Sequence, residues 1–421
     1  MSKSTRAIAR RKKTPASSAS SAPRRPGQRS ASSSTTPRAS KKKPRARSKP
    51  RKGSRTRGHK ARRPRRLRRS RVRLRRVIQG TTWFITKKTN DDQFFLRPDG
   101  AVDAVLLYAL ILSLNKYGLL LHELVFMSNH FHLVVTDVRG TLPDFMRDFL
   151  SETGKAIKIV LKGTRRIWSG DRYGSTTLLD LDAAERFMVY TRVNPTNAGL
   201  TLPEEWPGLT SVRMSYGDTI EAKRPDVYFS PRTRPEWVRC VLEPLPELMG
   251  QVQEVRDGIE ESATSTSEES TGSGPASSTA PRTDRREERL AHARREAHHR
   301  RCIALKRKID RATRVAVEKI LERMKRSEDK SRRGLAGSAK VRKASRLRRG
   351  NHDYGKLNPL FATTDKERLS AAIQEHRVFL ARHELAKQRF AKGEHRVLFP
   401  AGTYGYREVL GVRVRKGSAA A

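Results

Sequence analysis

The stretch MSNHFHLVV, residues 127–135, sets two histidines, His130 and His132, on either side of one phenylalanine. The run around them has the apolar, β-branched composition of a buried strand. Side chains at i and i+2 of a strand project to the same face. His130 and His132 therefore point together, while Phe131 and Leu133 point the other way. Two imidazoles held a few ångströms apart suit one divalent ion. An isolated His-x-His is more often a pair of polar residues on a solvated face, so the reading needs a third partner.

The flanking sequence supplies a fold for this strand. TTWFITKKT (81–89) is β-branched and aromatic and reads as a strand. AVDAVLLYALILSLNKYG (101–118) has the length and composition of a buried helix closing at Gly118. LLHELVFMS and HFHLVVTD read as two strands joined by a tight turn near Ser128 and Asn129. TLPDFMRDFLSETGKAIKIVL (141–161) predicts a second helix, capped by Thr141, with Pro143 in its first turn. A further helix, about 181–193, carries Phe187, Met188, Tyr190 and Val193 and is expected to stop at Pro195. The order βαββα predicts an α+β domain with a ferredoxin-like antiparallel sheet and helices on one face.

The third partner comes from VYTRVNPTNAGL (189–200). Tyr190 and Asn194 are i and i+4 on one helix and share a face. The Asn194 amide oxygen can complete a metal shell with the two imidazoles, and Tyr190 then stands one turn away. All three ligands are neutral, so the ion keeps its full charge to polarise a phosphate oxygen. A tyrosine attacking that phosphorus forms a covalent phosphotyrosine. Glu123 and Asp137 flank the histidines; either could orient an imidazole, with surface salt bridges the blander use. His122 is the remaining histidine in this region. Tyr173 and Tyr216 have no amide or carboxylate at i+4 on a plausible helix and read as core or stacking residues.

Composition constrains the partner. The chain has 421 residues and a formal net charge of +48, with 35% hydrophobic residues. That balance favours a polyanion, and nucleic acid over a membrane surface. No apolar run approaches the ~20 residues of a membrane span. Cys240 and Cys302 form no CxxC pair, so the chain is expected to be intracellular and reduced, in the cytoplasm with the nucleoid. Residues 1–76 hold no acidic residue and read as a disordered basic arm. Residues 77–215 form the α+β domain and 216–259 extend it. Residues 260–283 are a Ser/Thr/Gly linker, and 284–345 carry one long basic helix in a mainly helical C-terminal region. Its apolar stripe is expected at Leu305, Ile309, Ala312, Ala316, Ile320 and Met324. That stripe either packs on a neighbour or dimerises, the latter giving a homodimer. Residues 346–421 form a small module with a capping box from Thr364 to Glu367, a helix to Gly393 and the short strand HRVLFP.

Taken together the motifs resemble a known family. MSNHFHLVV resembles the His-hydrophobic-His motif of HUH endonucleases. IWSGDRYGS (167–175), VYTRVNPTNAGL and PEEWPGLTS (203–211) resemble segments of the REP-associated tyrosine transposases. The resemblance covers about residues 78–215. It implies a ferredoxin-like domain, a magnesium or manganese ion on His130, His132 and Asn194, and Tyr190 as nucleophile. It also implies cleavage and transfer of single-stranded or hairpin DNA through a 5′-phosphotyrosine. Trp168 and Arg172 could then stack on a base or hold a phosphate, with simple packing an equal alternative for Trp168. Ser128 stands where the family commonly has proline, and Arg192 and Thr196 where it has apolar residues. Two other readings compete: a non-catalytic DNA-binding protein on a transposase scaffold, and a hydrolytic metal phosphodiesterase. The latter lacks the second His-x-Ser/Thr motif expected of two-histidine enzymes.

Overall fold

The computed structural model describes residues 74–246, 282–329, 334–350 and 359–415. Nearly all of the basic arm and of the Ser/Thr/Gly linker lies outside these residues. The elements of the first half are β1 (Thr81–Lys88), α1 (Gly100–Tyr117), β2 (Leu119–Phe126), β3 (His130–Asp137), α2 (Leu142–Val160), β4 (Gly174–Leu178) and α3 (Leu181–Asn197). A two-stranded ribbon, β5 (Thr219–Lys223) and β6 (Trp237–Val241), follows. The second half holds α4 (Arg282–Lys325), α5 (Ser338–Lys343), β7 (Phe361–Ala362), α6 (Lys366–Ala391) and α7 (Gly405–Leu410).

The protein is mixed α/β, built on a mixed sheet in the order β2-β3-β1-β4-β7. Its first four strands are antiparallel neighbours, and β7 adds to β4 in parallel. All eight residues of β3 are buried because both sheet faces are covered. On one face Phe131 meets Phe149 of α2 and Trp168. On the other, Phe84 and His132 meet Phe187 and Tyr190 of α3. The helices therefore lie on both faces, where the sequence predicted one. The local pattern of α3, with Phe187, Met188 and Val193 apolar, cannot say which side of a sheet it covers.

Several boundaries have instructive causes. α1 ends at Gly118, whose φ of 66° only glycine adopts at no cost. By length and composition α1 could cross a membrane, yet its apolar residues pack in the core. Thr141 occupies the start of α2, but its hydroxyl donates to the Tyr117 carbonyl at 2.8 Å. Asp137 caps the helix instead, accepting from the backbone N–H of Thr141 (2.9 Å) and Leu142 (2.8 Å). α3 continues through Pro195 to Asn197 rather than stopping there. Proline removes one donor late in the helix, while its carbonyl still accepts from Leu200 at 2.9 Å. α6 is capped by Asp365, not Thr364; its carboxylate accepts from Glu367 and Arg368 N–H.

The long helix is packed along α3. Its buried positions are Cys302, Ile309, Thr313 and Ile320. Thr313 replaces the expected Ala312, which is exposed; the contact line on α3 admits the hydroxyl because it donates back to the Ile309 carbonyl at 2.7 Å.

A bulge shifts the β2 register between Leu121 and Glu123 and turns His122 inward. Its Nδ1 donates to the Glu243 carbonyl at 2.9 Å, and the Thr136 hydroxyl donates to its Nε2 at 2.7 Å. Burial holds its pKa down to about 4, from 6.5. The unfolded chain therefore binds the extra proton between those values. Stability is intact above pH 6.5 and falls as pH drops through this window, by on the order of 3 kcal/mol at its lower end. Urea denaturation from pH 7 to pH 4.5 should show this loss, and His122→Gln should flatten it. An equal slope in wild type and variant would assign acid sensitivity elsewhere.

Candidate active site

β3 and α3 bring three side chains to one point. His130 and His132 share a face of β3, with ring centroids 4.8 Å apart. The Asn194 amide lies between them, Oδ1 3.3 Å from His130 Nε2 and Nδ2 3.1 Å from His132 Nε2. Tyr190, one turn back on α3, sets its ring 5.5 Å from that of His132. Phe84 of β1 stacks on His132 at 5.1 Å and meets the Tyr190 ring edge-on at 5.8 Å, fixing both rings.

Neither histidine lies on a solvated face: His130 is 2% and His132 3% exposed. Burial, with His130 beside it, holds the His132 pKa well below the ordinary histidine value. The imidazole is therefore neutral at pH 7, as a metal ligand must be. Tyr190 keeps 40% of its surface open, enough for a polymeric substrate to reach the phenol. Burial of the rest raises its pKa, while a hydrogen bond with Asn194 pulls the other way.

Asn129 is a positioning residue that spacing did not reveal. Its Oδ1 accepts from His130 Nδ1 at 2.8 Å. That bond places the His130 proton on Nδ1 and leaves a lone pair on Nε2. The Nε2 lone pair then faces the Asn194 oxygen, two acceptors directed at each other. A cation placed there would be within reach of both atoms. Among the described residues no cluster of three or more His, Cys, Asp or Glu could hold a metal. The residues that could hold one are the two imidazoles and the Asn194 amide, a mixed nitrogen and oxygen donor set.

The remaining candidates fall elsewhere. Trp168 is 6% exposed, packs edge-on to Phe131 and donates its indole N–H to Thr153 Oγ1 at 3.1 Å. It is a core residue, so its face is not open to a base. Arg172 is exposed on the segment that follows. Lys87 anchors that segment to β1, its ammonium donating to the Ser169 carbonyl at 3.0 Å and hydroxyl at 3.2 Å. Tyr173 lies under the Arg75 guanidinium, 3.9 Å from the ring centroid, and meets neither histidine. Tyr216 is buried on Glu123. Glu123 and Asp137 orient no imidazole: Glu123 pairs with Arg192, and Asp137 caps α2. His122 serves the bulge, held by Thr136 and the Glu243 carbonyl.

The PEEWPGLTS turn has a structural task. Trp206 is fully buried and donates its indole N–H to the Phe126 carbonyl at 3.0 Å, bracing the end of β2 just before the histidine strand.

No protein-family model matches the chain, and no curated protein does. Among solved structures, a REP-associated tyrosine transposase bound to a REP hairpin is similar over 34% of this chain and 82% of its own, with 17% identity and a TM-score of 0.28. A putative transposase from Deinococcus radiodurans R1 is similar over 26% of this chain and 86% of its own, with 17% identity and a TM-score of 0.21.

Proposed function

We propose that residues 77–215 are a ferredoxin-like HUH domain. The protein is then a metal-dependent single-stranded DNA endonuclease and strand transferase of the tyrosine-transposase kind. The strand order β2-β3-β1-β4 supports the fold reading. The observation that carries the function is the convergence of His130 and His132 Nε2 on the Asn194 amide, with Tyr190 one turn away on the same helix.

A magnesium or manganese ion on His130, His132 and Asn194 would supply Lewis-acid polarisation of a phosphate oxygen. Phe84 and the helix hold the Tyr190 ring so that its Oη can approach phosphorus from the open side. Attack forms the Tyr190 O–P bond and breaks the bond from phosphorus to the 3′ oxygen. The phenol proton is lost and the departing 3′ oxygen gains one. The 5′ phosphate stays on Tyr190, so the linkage energy is kept and a second 3′ hydroxyl can reverse the step without ATP.

The test is a denaturation-resistant protein–DNA adduct on structured single-stranded oligonucleotides, mapped by peptide analysis to Tyr190. Chelator should abolish the adduct, and magnesium or manganese should restore it. Manganese titration followed by electron paramagnetic resonance should show a site that His132→Asn loses. Full cleavage in saturating chelator would remove the metal from the reaction. A protein that binds such DNA yet never cuts it would be a DNA-binding protein on a transposase scaffold.

A further inference from the structure

Residues outside the transposase-like region build one wall of a cleft that opens on His130. The cleft measures about 830 Å³ and is lined by Asn129 and His130 on one side and by the end of α4, α5 and residues 348–350 on the other. This wall is a docked piece of structure. Ala336 and Gly337 N–H donate to the Gly199 and Leu200 carbonyls at 3.0 and 2.8 Å. Val341 is buried with Met127 and Trp206. Arg346 donates to the Phe95 carbonyl at 3.0 Å and to Asp99 at 2.9 Å. Gly350 N–H donates to the Asp92 carbonyl at 2.9 Å, and its backbone lies so close to Asn129 that a Cβ there would overlap Asn129 Nδ2.

The lining is positive. Arg323, Lys340, Arg348 and Arg349 face the cleft, and among its described lining residues there is no carboxylate. Lys340, Arg348 and Arg349 are exposed and pair with no carboxylate among the described residues. The Phe94 ring lies in the same cleft, with the Arg348 guanidinium 5.9 Å from its centroid. The buried Asn129 keeps its Nδ2 without a hydrogen-bond partner among the described residues.

We infer that this cleft binds a short stretch of single-stranded DNA leading to the phosphate at His130, with Lys340, Arg348 and Arg349 on backbone phosphates and Phe94 under a base. Cations tracking a backbone beside an aromatic platform are the chemistry that takes a single strand. The volume is that of a small-ligand site, with room for a nucleotide or two. The inference rests on the proposed function, because it gives the C-terminal half of the chain a part in holding that same substrate.

The experiment measures binding of the full chain, carrying Tyr190→Phe to prevent turnover, to a fluorescent single-stranded DNA. Lys340→Ala/Arg348→Ala/Arg349→Ala should weaken binding about tenfold or more. It should also lower the slope of log affinity against log salt by about two, three lost phosphate contacts at ~0.7 each. Phe94→Ala should weaken binding at least about fivefold with the slope unchanged. The control Lys366→Ala/Arg377→Ala/Lys392→Ala removes equal charge from α6 and the residue that caps its end, and should change affinity much less. Unchanged binding by the cleft variant, an equal loss in the control, or tighter binding of a duplex of the same sequence would overturn the inference. Absence of any wild-type adduct would instead count against the proposed function, and the binding comparison would still read out the cleft.

Discussion

Replacing Tyr190 by phenylalanine is expected to eliminate the covalent DNA adduct while leaving single-stranded DNA affinity within a few fold of wild type. The substitution keeps the ring, and with it the contacts to Phe84, Phe187 and His132. It removes only the oxygen that would attack phosphorus. Affinity should survive because phosphate contacts and stacking come from other residues. Cleavage has no substitute nucleophile nearby: the Tyr216 phenol is buried on Glu123, and Tyr173 is covered by Arg75. Burial raises the pKa of both, which further disfavours the phenolate. Adduct formation is measured by denaturing gel and affinity by anisotropy. An adduct that persists in Tyr190→Phe would place the nucleophile elsewhere. Wild-type cutting without an adduct would mean hydrolysis.

The second large effect is expected on stability. Arg192 is 1% exposed, two residues from both Tyr190 and Asn194. Its Nε donates to Glu123 at 2.7 Å, one Nη to Asp310 at 2.7 Å and the other to the Tyr216 hydroxyl at 3.1 Å. It therefore ties α3 to β2 on one side and to α4 on the other. Nearby carboxylates push its pKa up against the effect of burial, so it stays charged. Arg192→Met should destabilise by about 3–5 kcal/mol, because Glu123, fully buried, would be left without its counter-charge. Most of this is the cost of breaking the pair. Glu123→Leu/Arg192→Met should recover much of the loss, since an apolar pair of similar volume is often no worse than a buried ion pair. Urea midpoints on the two variants measure both. A loss under about 1 kcal/mol for Arg192→Met would show that water reaches Glu123. The single variant should also weaken manganese binding, since α3 carries Asn194.

Arg192 shows where the sequence stops speaking. It interrupts an otherwise plausible site helix with a charge, and read locally it is a surface residue. Its partners are 69 and 118 residues away along the chain, so no spacing rule reaches them. The same holds for Glu123, buried because a bulge turns it inward, and for Trp168, buried because Phe131 and Thr153 enclose it.

What the sequence by itself determined follows from two periodicities. Residues at i and i+2 of a strand share a face, which paired His130 with His132. Residues at i and i+4 of a helix share a face, which paired Tyr190 with Asn194. Alternation, capping glycine and helix length also placed β1, β2 and β3 and the helices α1 and α2 to within a few residues. The tertiary structure decided what those pairs meet. Register set Thr86 opposite His132, packing laid α3 on the histidine face, and the turn aimed Asn129 at His130. It also carried α5 and residues 348–350 beside Asn129 and His130, where distant basic residues form a cleft. Periodicity is a property of a few neighbouring residues. Which buried faces meet depends on the packing of the whole chain, and only the folded structure expresses it.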